Sequence, residues 1–466
     1  MSQDGVAIHR ALDVLSGRVS HRIGQHRVAL LGLLLAACGG DSGSVVREAA
    51  SALEVAEVSG SISLLTYNVA GLPEVFSSSD PEANMPQIGP LLAGYELVHV
   101  QEDFNYHGAL YAGDVHPYRS STSGGVPFGD GLNTLSYRSF GDFARTTWDA
   151  CNGTDCLTPK GFSYARQRLD EGVYVDFYNV HANAGTEDAD LSARRSNLRQ
   201  LLNSIEQNSR GNAVVVMGDS NARFTRSEDN VRDFLDHGFS DAWIERVRGG
   251  ERPEADSDAL LDCWGDNSAP NCETIDKIMY RSSRLLALWV DDYHVEDNVF
   301  VDSSGGPLSD HNAVYAQLSY AVAGDLRASD LVGGPHGTMF NDLAALPDYP
   351  APQRVSLRAG SRLDQIAIEF ADGTRLVHGG SGGTEKSLSL DSGEALISIE
   401  LCIGQKDDHT RVFYAALSTD YGRSLSGGKR TKQCTRFDAP EGFQIAGFFG
   451  RSGAEIDKLG VIYALR

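Results

Sequence analysis

The chain has 466 residues, 41% of them hydrophobic and 50 of them glycine, and a formal net charge of −23. That length predicts two or three domains with separate cores, and the glycine content predicts turn-rich, β-containing ones. A surface this acidic argues against a broad basic footprint for duplex nucleic acid or anionic membranes, while leaving room for a local cleft of opposite sign.

In chain order, His21, Arg22, His26 and Arg27 precede the apolar run "VALLGLLLAACGG". The run is too short to span a bilayer and has the layout of a secretory signal. "Leu35-Ala36-Ala37-Cys38" resembles a bacterial lipobox, which implies lipidation at Cys38 and a chain exported to the outer membrane or cell surface, or secreted. Residues 1–58 therefore read as signal and tether. The other six cysteines fall in three local pairs, Cys151–Cys156, Cys263–Cys272 and Cys402–Cys434, the simple disulfide pattern of an oxidising compartment.

From 59 to 322, apolar runs alternate between strand and helix periods. "LTYNVAGLP" (65–73), "ELVHVQE" (96–102), "VYVDFYNVH" (173–181), "AVVVMGD" (213–219) and "IDKIMY" (275–280) read as strands. Leu191, Leu198, Leu201, Leu202 and Ile205 fall at helical spacing, so 190–207 reads as a helix with one buried face and a solvated face carrying Arg194, Arg195 and Arg199. Such alternation predicts a layered α/β domain. Taken alone, Asn68 is a turn asparagine. Yet Glu102, His181, Asp219 with Asn221, and Asp310 with His311 also stand where apolar runs stop. Polar groups that end several strands are able to converge on one site.

Carboxylate and amide oxygens are hard ligands suited to Mg2+ or Mn2+, and such an ion at a phosphate neutralises charge on the leaving oxygen. Histidines and further aspartates in the same set supply proton transfer. Between 59 and 322 no G-x-S-x-G elbow, Walker A loop or G-x-G-x-x-G follows a strand, so direct attack by water on a phosphoester fits best. His99, His107 and His116 read as core or loop histidines. The Gly-rich loop 120–137 reads equally as a groove wall or a plain turn.

"LTYNVAGLP", "VQEDF", "YNVHANAG", "VMGDSNAR", "IDKIMY" and "LSDHNAVYA" occur in this order and resemble the motif series of the endonuclease/exonuclease/phosphatase superfamily. The resemblance implies a deoxyribonuclease-I-like four-layer α/β sandwich over 59–322. It also implies roles. Glu102, Asn68 and Asp310 would lie at the metal and its water, and Asp219 would orient or deprotonate that water. Asn221 would hold a phosphate oxygen. His311 would bond the scissile phosphate, oriented by Asp276. His181 would be the second active-site histidine, with Asn183 lining the substrate pocket. Whether Asp219 or His311 is the general base stays open.

After a linker at 323–332, residues 333–466 alternate in short strands punctuated by glycine. The Gly-rich opening, "HGGSGG" and the terminal G-x-x-x-D resemble jacalin-related lectins. This implies an all-β prism of three four-stranded sheets, with sugar bound by Asp457, the backbone of Gly453, Ala454, Glu455 and Ile456, and the loop at Gly334. Glu455 departs from the usual small or polar residue. The resulting expectation is a monomeric, exported, Mg2+- or Mn2+-dependent phosphodiesterase, sphingomyelinase-like or acting on phospholipid head groups, targeted by a glycan-binding module. Its membrane attachment would be by lipid anchor only. An extracellular DNase-type endonuclease and a surface adhesin with an inactive phosphoesterase domain are the alternatives.

Overall fold

Alternation along Ser59–Asn68 decides where its side chains go. Ile62, Leu64, Thr66 and Asn68 point one way, and Leu65 and Tyr67 point the other, all buried. In the computed structural model, which describes residues 58–75, 77, 79–257, 263 and 272–466, both faces of this strand are covered.

The first domain packs two six-stranded sheets. In one, Ser59–Asn68 pairs in parallel with Leu97–Gln101 and antiparallel with Val314–Val322. In the other, Val173–His181 runs parallel to Ala213–Asp219, which pairs antiparallel with Asp276–Arg281. Met85, Ile88 and Leu110, from the helices Pro81–Leu91 and His107–Gly113, cover the outer face of the first sheet. The helix Asp188–Asn208 buries Leu191, Leu198, Leu201, Leu202 and Ile205 against the second, and Glu187 with Asp190 forms a capping box at its start. This is the four-layer sandwich expected.

Arg194 is not part of a solvated face. It is fully buried, pairing with Asp229 at 2.9 Å and donating to the carbonyls of Asn183 and Gly185. The helical period places it next to the apolar stripe, and a carboxylate from a later loop neutralises it.

A band of buried amides joins the sheets beneath the strand ends. Gln101 Nε2 donates to Asn179 Oδ1 (2.7 Å) and Thr66 Oγ1 (3.1 Å), and Asn179 Nδ2 donates to the Val100 and Asn133 carbonyls.

The second domain has three sheets, two of four strands and one of five. The fifth strand arises because the stretch read as a linker is structured. Leu326–Ala328 and Val332–Gly333 both pair with the final strand, Ile456–Leu465. Their short length and Gly-Gly sequence hid this. Cys402 and Cys434 face each other on neighbouring strands, and all three expected disulfides are present.

The domains meet through Asp330, which accepts from Arg168 Nε (2.8 Å) and Nη2 (2.9 Å), Tyr174 Oη (3.1 Å) and Gly172 N (3.1 Å). Asp142 pairs with Lys458 (2.6 Å) and Arg451 (3.4 Å). Among the described residues no helix is long and apolar enough to cross a membrane. Cys38 and the signal lie outside the described residues.

Candidate active site

Two parallel pairs deliver their C-terminal ends to one place. The register sets Asn68 beside Gln101, His181 beside Asp219, and Asp219 opposite Asp276. Gly218 permits this approach, since its φ of +152° and the Val180 backbone leave no room for a Cβ. Strict alternation would send Glu102 to the helix side with Val98 and Val100. Instead Glu102 takes φ +58°, and its carboxylate swings to Asn68. Ala70 (φ +49°) and Asn221 (φ +51°) share this left-handed conformation, so three of these uncommon backbones border one site.

Asn68 Nδ2 donates to Glu102 Oε1 (3.2 Å) and Asp219 Oδ2 (3.1 Å), while Ala70 N–H donates to Asn68 Oδ1 (3.1 Å). It is thus the amide nitrogen, not the oxygen expected at the metal, that faces the carboxylates. His181 Nε2 lies 3.4 Å from Asp219 Oδ2 and 3.7 Å from Glu102 Oε1. His311 Nδ1 donates to Asp276 Oδ2 (3.0 Å) and its Nε2 lies 3.8 Å from Asp219 Oδ2. Asn221 N–H donates to Asp219 Oδ1 (3.0 Å), and its amide reaches the Ala182 carbonyl (3.1 Å). Asp310 is exposed, close enough for its charge to raise the titrations of Glu102 and His311. Ser309 Oγ donates to the Asn68 carbonyl (2.7 Å), fastening the Ser-Asp-His turn to the first strand.

Asn183 is the residue not brought to the cluster. It is buried, its Oδ1 accepts from Asn152 N (2.7 Å), and its Nδ2 donates to Ala184 O (2.7 Å) and Asp190 Oδ1 (3.4 Å). Those bonds hold loops together and leave none of its polar atoms for a pocket. His99, His107 and His116 are held by Met217 O, Asp103 and Asp114, as core and loop histidines. Loop 120–137 is bound through Arg145, which donates to Asp130 Oδ1 (2.6 Å) and Asn133 Oδ1 (2.9 Å).

Lys160 was not foreseen. Its ammonium pairs with Asp155, itself held by Ala184 N–H (2.5 Å), and its charge acts on Glu102, His181 and Asp219. The Cys151–Cys156 bridge closes the turn that carries Asp155.

Burial raises Asp219 to about 6, against the charge of His311. Burial also lifts Glu102, opposed by Lys160, and drives His181 well below the usual histidine range, reinforced by Lys160 and His311. Burial works against a charged His311 too, but Asp276 and Asp219 outweigh it and push the ring up to about 10. The site therefore holds one imidazolium and one neutral imidazole at neutral pH.

The donor chemistry fits a hard divalent cation. Glu102 and Asp310 offer oxygens on one side, and Asp219, Asp276 and His311 have donor atoms within 4.8 Å of one another. While His311 is protonated on Asp276 its ring is no ligand, which favours the all-oxygen side.

In the second domain, Gly334 N–H donates to the Asp457 carbonyl (2.8 Å) and Gly453 N–H to that of Glu455 (3.0 Å). Ile456 lies in the core, and Gly380 lies too close to Ala454 to admit a side chain. Glu455 is neutralised by Arg362 (Nε 2.7 Å), Arg411 and Lys406 (3.4 Å). Bonds from Arg362 lead burial and then Arg411 in setting its carboxyl at about 2. Arg411 Nε also approaches Asp457 Oδ1 (3.5 Å).

An α/β sandwich with acidic and histidine side chains gathered at one end, joined to a three-sheet β-prism, defines a two-module protein. Residues 87–248 match the family described as Endonuclease/Exonuclease/phosphatase family 2, and 329–462 match the Jacalin-like lectin domain. The chain thus carries an endonuclease/exonuclease/phosphatase family 2 domain followed by a jacalin-like lectin domain. Proteins named sphingomyelinase in Mycobacterium bovis and Mycobacterium tuberculosis are 36% identical to it over 324 residues. That match covers 66% of this chain and 63% of theirs, so the chain spans less than two thirds of those relatives. Horcolin of Hordeum vulgare is 30% identical over 133 residues, 27% of this chain and 90% of horcolin. The solved wild-type Malaysian banana lectin is 26% identical, covers 30% of this chain and 98% of its own, and superposes with a TM-score of 0.26.

Proposed function

We propose that the chain is an exported, divalent-metal-dependent phosphodiesterase acting on phospholipid head groups, sphingomyelin first among them, and that its second domain binds glycans. The observation carrying this is the meeting of Glu102, Asn68, His181, Asp219 and the Asp276–His311 pair at one end of two packed sheets. The name of the mycobacterial relatives supports the choice of lipid, and the acidic net charge weighs against duplex DNA. The motif at Cys38 supports export with a lipid anchor, and Mg2+ or Mn2+ suits the oxygen donors.

In this reading Glu102 and Asp310 would hold the metal, with Asn68 positioning Glu102 and Asp219 through its amide nitrogen; the ion would neutralise phosphate charge and the developing charge on the leaving oxygen. Asp219, ionised above pH about 6, accepts a proton from the water that attacks phosphorus. As the new P–O bond forms, the bond to the lipid alcohol oxygen breaks. His311, held cationic by Asp276, hydrogen-bonds a phosphate oxygen throughout. Neutral His181, its Nε2 3.4 Å from Asp219 Oδ2, would sit beside the carboxylates, and Asn221 would steady a second phosphate oxygen. Lys160 adds fixed positive charge.

The test is turnover by the purified full chain on sphingomyelin, phosphatidylinositol, plasmid DNA and a chromogenic bis-ester, with Mg2+, Mn2+ or chelator. Metal-dependent release of phosphocholine, lost in Asp219→Asn, is expected. Degradation of DNA with intact lipids would move the reading to a nuclease, and no turnover of any substrate would sink it.

A further inference from the structure

Two of the strands that end at the site, Val173–His181 and Ala213–Asp219, run on into loops that share one buried carboxylate. Asp229 belongs to neither strand, and its side chain is closed to solvent. Its Oδ1 accepts from Arg194 Nε (2.9 Å), and its Oδ2 accepts from Arg223 N–H and Arg226 Nη1 (2.8 Å each). Two of these arginines then reach on toward the site. Arg226 Nη1 also donates to the Asn221 carbonyl (3.3 Å), while Arg194 Nη1 donates to the carbonyls of Asn183 (2.8 Å) and Gly185 (2.9 Å).

Asn221 stands between these two arms. Its left-handed backbone is anchored on one side by its N–H to Asp219 Oδ1 (3.0 Å), and on the other by Arg226 at its carbonyl. Its Nδ2 donates one hydrogen to the Ala182 carbonyl (3.1 Å), and Ala182 directly precedes the segment that Arg194 holds. A carboxamide is planar, so anchoring one N–H together with the backbone sets the direction of the second N–H. Among the described residues nothing accepts that second hydrogen, and the side chain is only half-buried. It remains for an oxygen of the substrate.

Stability alone gives no reason for this arrangement. A buried ion pair is often matched or bettered by apolar side chains of similar volume, because desolvation offsets most of the attraction. Arg194 Nη2 even lacks an acceptor among the described residues. What apolar side chains could not do is hold the carbonyls of Asn183, Gly185 and Asn221 and the N–H of Arg223 around a single fixed point.

We propose, resting on the phosphodiesterase reading above, that Asp229 is a positioning residue for that reaction: through Arg226 and Arg194 it locks Asn221 so that the free amide N–H meets one oxygen of the phosphodiester. Asp229 itself bonds none of the clustered site side chains. Its effect therefore falls on how the phosphate is held while the bond to the leaving oxygen breaks, and little on whether the lipid binds.

Asp229→Asn strands the buried charge of Arg194 and tests folding as much as function, so the working variant is Arg226→Met, which cuts only the more exposed arm. With the full chain on detergent-dispersed sphingomyelin, kcat should fall about tenfold while KM stays within about twofold of wild type. In an Asn221→Ala background the same substitution should cost about twofold or less, because the amide it positions is gone. Deuterium uptake of residues 219–226 in the metal-free chain should rise about threefold or more in Arg226→Met, with the rest of the domain unchanged. Equal losses of kcat in the two backgrounds, a change confined to KM, or unaltered uptake would overturn this inference and spare the phosphodiesterase reading. No turnover of any phosphoester by the wild-type chain removes that reading, and this inference with it.

Discussion

Replacing Asp219 with asparagine should abolish turnover and yet raise the melting temperature of the metal-free chain. Burial lifts this carboxyl from 3.8 to about 6, with the attraction of His311 already included. A folded pKa above the unfolded one means that the folded state binds the proton more tightly. Its ionised form therefore strains the fold, by nothing below about pH 4, increasingly from 3.8 to about 6, and constantly above. Two pKa units correspond to about 3 kcal/mol. Asparagine keeps the shape and removes the charge, so most of that is regained at pH 8. For a domain of this size the gain is about 5–10 °C. The assay is a thermal melt of wild type and Asp219→Asn in chelator from pH 4 to 8. The gap should nearly vanish at pH 4 and reach its plateau by pH 7. An unchanged or lower melting temperature at pH 8, or a gap independent of pH, would refute the account of Asp219 as a carboxylate held at energetic expense for function.

Lys160→Ala should lower kcat/KM about a hundredfold and shift the acid limb of the pH profile upward, because the cation that favours ionised Glu102 and Asp219 is gone; an unmoved limb would make Lys160 a mere loop anchor. Wild-type kcat/KM should be bell-shaped, rising as Asp219 ionises near 6 and falling as His311 loses its proton near 10. In Asp276→Asn the alkaline limb should move down by about two units or more, since the buried ring loses its nearest counter-charge; the His311 resonance in NMR reads this directly. Glu455→Ala should destabilise the second domain by about 3 kcal/mol at pH 7, as Arg362, Arg411 and Lys406 are left facing one another. The Glu455 carboxyl is depressed to about 2, so its stabilisation is present above about 4.5 and disappears as pH falls toward 2, where wild type and variant melts should converge.

The strands that carry the site were legible because each is a short apolar run that stops at a polar residue. Val173–His181 and Ala213–Asp219 have the bounds their sequences suggest. The buried stripe of Asp188–Asn208 was legible from its period alone. What escaped depends on partners distant in sequence. Lys160 belongs to no motif, and its place is set by a disulfide-closed turn and Asp155. Arg194 looks like surface until Asp229, 35 residues later, is seen against it. Asn183 follows a motif histidine, but its amide is taken by Asn152 and Asp190. The left-handed backbone of Glu102 is invisible to hydrophobic periodicity, although without it the carboxylate would sit on the wrong face of its sheet.

The amide band of Thr66, Gln101 and Asn179 has a consequence for how such a site tolerates change. Glu102 rides on one sheet and Asp219 and His181 on the other, so the cluster lies along a seam. Two apolar sheet faces grip by area alone and are nearly indifferent to a small slide, whereas a Gln–Asn bond of 2.7 Å fixes one alignment. The band thus works as a dowel between two boards. Replacing Asn179 and Gln101 together with leucine would spare the hydrophobic core and let the halves of the site drift by fractions of an ångström. A protein altered in that way would stay folded while Glu102 on one sheet and Asp219 and His181 on the other lost their common focus.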